Sequence, residues 1–113
     1  MTGTDILAAI EAAHEEAPRV KVEIPEWKCT LWFPKDITVA RQKVVRAGIN
    51  PSDEGALMAS FILHQAQNED GSSAFEVNAQ SRATMEGKGA MRIMYGIMAK
   101  VGAPEDVETA KNG

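Results

Sequence analysis

Cys29, His14 and His64 are the side chains of this 113-residue sequence that could carry nucleophilic or acid–base chemistry. A cysteine nucleophile needs a thiolate, and a thiolate needs a nearby base and an electropositive setting. Neither histidine lies in a catalytic signature. The pattern Cys29, Leu31, Phe33 places the thiol on the apolar face of a strand, so Cys29 reads as a packed side chain, as free cysteines commonly are. With no base and no orienting partner for it, the sequence assigns no catalytic residue. A single cysteine forms no internal disulfide, and the chain fits a reducing cytoplasm.

Metal and phosphate chemistry fare no better. Two isolated histidines and one cysteine do not make a ligand set with metal-binding spacing. The stretch "NEDGSSAFE" from Asn68 to Glu76 alternates oxygen-bearing residues as a calcium loop does. An EF-hand needs glycine at its sixth position and a bidentate acid at its twelfth. Counting from Asn68, those positions are Ser73 and Ala79, so the stretch reads as a solvated turn. "GKGAM" at Gly87 to Met91 lacks the upstream glycine and the Ser/Thr after lysine that a phosphate loop uses. No cofactor is expected.

Composition narrows the classes further. The net charge of −4 and the lack of any basic run disfavour nucleic acid as a partner. The same acidity disfavours anionic membrane surfaces, and no apolar run approaches a membrane span. The stretch "MTGTDILAAIEAAHEEA" carries four acids and no basic region, so it does not read as a secretory leader. Length and an ordinary apolar fraction give one domain over residues 1–113.

The elements that would position any site follow from periodicity and punctuation. Residues 4–17 read as a helix with Thr4 as its cap; Ile6, Leu7, Ile10, Ala13 and Ala17 fall on one stripe. Residues 20–33 read as a β-hairpin. Val20, Val22 and Ile24 alternate in its first strand, Cys29, Leu31 and Phe33 in its second, and "PEWK" is the turn. Residues 36–101 form a helical body. Its first helix is capped by Asp36 or Thr38 and closed by Gly48, and its second starts with Asn50 as cap and Pro51 at the first turn. A short helix spans 78–85, interrupted by the glycines of "MEGKGAM". A last helix near 90–101 carries the cleanest apolar stripe: Ala90, Met94, Ile97, Met98 and Val101. Residues 103–113 make a polar tail that is expected to fray. The fold class is mainly α, a small helical domain with one hairpin in its N-terminal half.

Both tryptophans, the cysteine and Phe33 crowd into residues 27–33. A two-stranded hairpin is marginal alone and must be stapled to a body by large side chains. Trp32, however, alternates to the face opposite Leu31 and Phe33. Trp27 and Trp32 are therefore candidates for contact with a second copy of the chain. Met91, Met94 and Met98 read most simply as core. As flexible, polarizable side chains they are also candidates for a groove that accepts a partner helix.

The segment "VEIPEW", Val22 to Trp27, resembles the valine-glutamate-valine-proline-glutamate-tryptophan opening of tail assembly chaperones of long-tailed bacteriophages and prophages. In that family a short β-ribbon precedes a helical body, and an acidic Asp-Gly turn is followed by Phe. Glu69, Asp70, Gly71 and Phe75 match that turn here, and the striped helix with its polar end matches from Met91 to Lys111. The resemblance implies a non-enzymatic protein that binds the tape measure protein and keeps it soluble during tail morphogenesis. It further implies a homo-oligomer, contact with the tail tube protein through a longer frameshifted form, a place in the host cytoplasm, and absence from the mature virion. The competing expectation is a small phage structural or morphogenetic subunit, of connector or tail-completion type, that stays in the virion.

Overall fold

A computed structural model describes residues 2–102. It holds five helices and one antiparallel hairpin in the order α1 (Gly3–Glu15), β1 (Arg19–Ile24), β2 (Cys29–Pro34), α2 (Val39–Arg46), α3 (Glu54–Gln65), α4 (Ala79–Lys88) and α5 (Met91–Gly102). The mainly α class with one hairpin is what the sequence predicts. The predicted tail at 103–113 lies outside the described residues.

The hairpin follows from its alternation. Val20 faces Phe33, Val22 faces Leu31 and Ile24 faces Cys29 across the strands. Opposed residues share a face, so these six form one apolar surface. Val22, Ile24, Leu31 and Phe33 are buried in the main core with Ile62, Met94 and Ile97. The turn is a short 3₁₀ segment, Pro25–Trp27, closed by Lys28 in the left-handed conformation (φ 54°), a region glycine enters more readily. Gln67 adds a single-residue rung outside β2: the Trp32 amide donates to the Gln67 carbonyl at 2.9 Å, and the Gln67 amide donates back at 2.7 Å.

Helix α3 is the hub, packed by α2, α4 and α5. Buried polar groups are as a rule hydrogen-bonded, and among the described residues the His64 Nε2 on α3 is a buried side-chain atom without a hydrogen-bond partner. Buried Ser60 donates to the Val45 carbonyl of α2, and Arg41 donates to the Gln65 side chain at 2.9 Å and to the His64 carbonyl at 2.7 Å. The start of α3 departs from expectation. Asn50 caps a separate turn by accepting from the Ser52 amide and hydroxyl. The helix begins only at Glu54, with Asp53 accepting from the Ala56 amide. Helix α1 is capped by Thr2 rather than Thr4, in a reciprocal Thr2–Asp5 capping box. Its apolar stripe meets no core: every described residue of α1 is exposed.

The two glycines of "EGKG" have opposite roles. Helix α4 runs through Gly87 to Lys88, held at its start by the Asn78–Ser81 capping box. A Cβ on Gly87 would meet nothing within 4 Å, whereas one on Gly89 would stand 2.6 Å from the Met85 carbonyl oxygen. Gly87→Ala should therefore stabilise the domain by about 0.5–1 kcal/mol through lower helix cost. Gly89→Ala should destabilise it, because backbone must move. Urea unfolding midpoints check both, and midpoints that move in the same direction would contradict this reading of the two positions.

Candidate functional site

Two apolar surfaces adjoin the core, on α5 and beside β2. The first is a second stripe on α5. At 100° per residue, Met94, Ile97 and Val101 cluster on the buried side, and Met91, Tyr95 and Met98 follow at i, i+4 and i+7 on the adjoining side. Met91 is 44% and Tyr95 45% exposed, and Met98 is half-buried against the core. The Met91 sulfur lies 3.5 Å from where a Gly55 Cβ would stand, so its side chain rests on the first turn of α3. Beside it, a hydrogen bond to Glu54 raises the Tyr95 hydroxyl pKa above the ordinary tyrosine value, and the carboxylate charge acts in the same direction. The phenol stays neutral and amphipathic. Arg92 donates to the Glu26 carboxylate at 3.1 Å and so ties the start of α5 to the hairpin turn.

The second surface is a groove of about 720 Å³ beside β2. Trp27, Cys29, Leu31, Leu63, Phe75 and Met85 supply its apolar walls, and Asn78, Ser81, Thr84 and Lys88 its polar side. Thr30 sits at the open edge of β2. By the alternation of an antiparallel pair, its N–H and C=O point to the same side as those of Trp32, outward from β1. Among the described residues, no Asp, Glu or His lines the groove. Burial pushes the Cys29 thiol pKa up, which disfavours the thiolate a nucleophile requires. Desolvation lowers the His64 pKa first, and the charges of Arg41 and Arg82 lower it further; His14 stands exposed on α1. What the groove presents is mainly apolar surface with one polar side.

The sequence candidates separate accordingly. Met91 is on the surface, Met98 at the margin, and Met94 in the core, so the three do not form one contact surface. Trp27 packs against the core cluster. Trp32 lies on the outer hairpin face, half-buried, with the Lys21 ammonium 5.9 Å from its ring centroid. The two tryptophans therefore do not make a shared exposed face. Tyr95 is not among the sequence candidates, although its i+4 spacing from Met91 places it on the same stripe. In the 68–76 turn, the Asp70 carboxylate is spent on the Ser72 amide and hydroxyl at 2.9 and 2.6 Å. Among the described residues, no helix is long and apolar enough to cross a membrane.

Compared with known proteins, the chain matches no family model, no curated protein and no solved structure.

Proposed function

We propose that this protein is a non-enzymatic tail assembly chaperone that binds the tape measure protein and keeps it soluble during phage tail morphogenesis. The observation that carries the reading is the second stripe of α5. One helix buries Met94, Ile97 and Val101 while its neighbouring face offers Met91, Tyr95 and Met98. A long apolar helical client presents ridges at the same i, i+4, i+7 spacing, and two thioethers and a phenol adapt to varied ridges without fixed partners. The groove beside Met85 and Phe75 adds apolar surface without catalytic groups. Its resemblance at Val22–Trp27 supplies the identity of the client. On this reading the chaperone works in the host cytoplasm as a homo-oligomer, with Trp32 contributing a contact from the outer hairpin face and Trp27 bracing the ribbon behind it. It leaves before the virion is complete, and a longer frameshifted form meets the tail tube protein.

Met91→Glu is the test. Met91 is the first residue of α5, where a carboxylate is favoured by the helix dipole, and its exposed position limits the stability loss to about 1 kcal/mol. In an apolar interface the same carboxylate must be desolvated. The variant should keep its urea midpoint nearly unchanged and lose most of its co-purification with co-expressed tape measure protein. A folded Met91→Glu protein that holds the client as well as the parent does would remove α5 from the binding surface.

A further inference from the structure

Helix α1 is amphipathic and covers nothing. Ile6, Leu7, Ile10 and Ala13 share a stripe, yet Leu7 is 62% and Ile10 59% exposed. A 13-residue helix is marginal in water on its own, even with its capping box. Its acids flank the stripe: at 100° per residue, Glu11 and Glu15 fall on one side, Asp5 and Glu16 on the other. With four acids and no Lys or Arg before Arg19, this arm has a formal side-chain charge of −4.

Helix α2 is its complement. It carries Arg41, Lys43 and Arg46 and no acid, a formal charge of +3. Val45 and Arg41 face α3. The outer face holds Val39, Ala40, Lys43, Val44 and Arg46, all exposed, with Val39 at 74%. Ile37 extends this apolar strip toward the arm. Among the described residues there are eight exposed large hydrophobics, and six lie on α1 or between Ile37 and Val44. Most of the exposed large hydrophobics thus belong to α1 and to the 37–44 strip.

We infer that α1 of one chain docks on the outer face of α2 of a second copy, reciprocally, in a two-fold dimer. The apolar stripe meets Val39 and Val44, and Glu11 and Glu15 meet Lys43 and Arg46. Charge selects this occupant. Pairing α1 with α1 would oppose two arms of side-chain charge −4, whereas α1 on α2 joins opposite signs. Docking of α1 on its own α2 is opposed by the base of the arm. Only residues 16–18 join α1 to β1. The Pro18 carbonyl accepts from the Lys35 amide at 2.9 Å, and the Arg19 guanidinium donates to the Gln67 side chain and the Asn68 and Glu69 carbonyls. An open cleft of about 360 Å³ separates the last turn of α1 from Asp36, Ile37 and Thr38 of the same chain. A reciprocal arrangement uses both faces of both copies, as a closed two-fold interface must. This contact is independent of the client reading and of Trp32.

Sedimentation equilibrium of the full chain tests it. The parent should dimerise, and Ile10→Asp, a change at an exposed position, should weaken the dimer at least tenfold with an unchanged circular dichroism spectrum. Two charge-reversed proteins carry the decisive step: Glu11→Lys with Glu15→Lys, and Lys43→Glu with Arg46→Glu. Each alone should lose the dimer made through this contact, weakening self-association at least tenfold, because its arm and the α2 face of a second identical copy then carry like charges. Mixed, they should form a heterodimer, because both contacts regain opposite signs. A parent that is monomeric at about 1 mM, a dimer indifferent to Ile10→Asp, or a mixture that associates no more strongly than each variant alone would each overturn the inference.

Discussion

Ile97→Glu should leave no cooperatively folded protein at neutral pH. Ile97 is 2% exposed, in the same core as Val22 and Ile62. Removing its side chain from the core forfeits about 1.5–3 kcal/mol of burial. The carboxyl adds more, since fully burying an acid raises its pKa by up to about 3–5 units, at about 1.4 kcal/mol per unit. The sum is on the order of 6–10 kcal/mol, set against the ~5–15 kcal/mol by which domains are stable at all. The sign of the pH dependence follows. An acid whose folded pKa is raised stabilises the fold only while protonated, so any residual structure should appear near or below about pH 4 and vanish as pH rises. Circular dichroism with urea titration at both pH values is the measurement. A cooperative transition at pH 7 would show that the inner face of α5 is not core. Six positions away, Met91→Glu should fold, so the pair separates the two faces of one helix.

Much of this architecture is legible in the residues. Alternation at 20, 22, 24 and at 29, 31, 33 fixes which hairpin face is buried, because a one-residue slip would turn every apolar side chain outward. The helix start at residue 54 was not legible. Asn50 and Asp53 are both good caps, and only the Asn50–Ser52 bonds show that the first is spent on a turn. Gly87 suggested a break, but the Asn78 capping box and buried Met85 carry α4 across it.

The arm and the groove mark where sequence reasoning stops. A stripe at 6, 7, 10 and 13 says that a helix is amphipathic and nothing about which surface meets it. The groove joins side chains from the hairpin, α3, the 68–78 segment and α4, and no spacing rule links Trp27 to Met85. The methionines illustrate the finer limit. Met94 lies only 60° from Met91 on the helical wheel, and that angle alone separates a core residue from a surface one.

Phe33→Ala should give a loss second only to Ile97→Glu. Phe33 is 0% exposed, sits opposite Val20, and stacks on Phe61 with ring centroids 6.1 Å apart and planes inclined by 9°. Truncating such a phenylalanine costs about 3–5 kcal/mol, the transfer free energy of the ring plus the cavity it leaves. Its position makes the effect spread. A two-stranded hairpin is not stable alone, and Phe33 is where β2 grips α3. Loosening that grip frees both strands and exposes the hairpin side of α5. The neighbouring Trp32 is larger but half-buried on the other face. Its two bonds to Gln67 are made by main chain and survive truncation of the indole. Trp32→Ala should therefore cost less than Phe33→Ala although it removes more atoms. With a urea dependence of about 1–3 kcal/mol per molar, Phe33→Ala should lower the midpoint by about 2 M, and Trp32→Ala by clearly less. Should Trp32→Ala prove the more damaging of the two, the hairpin's outer face would be the one that anchors it, and the burial of Phe33 would not be what holds β2 to the helices.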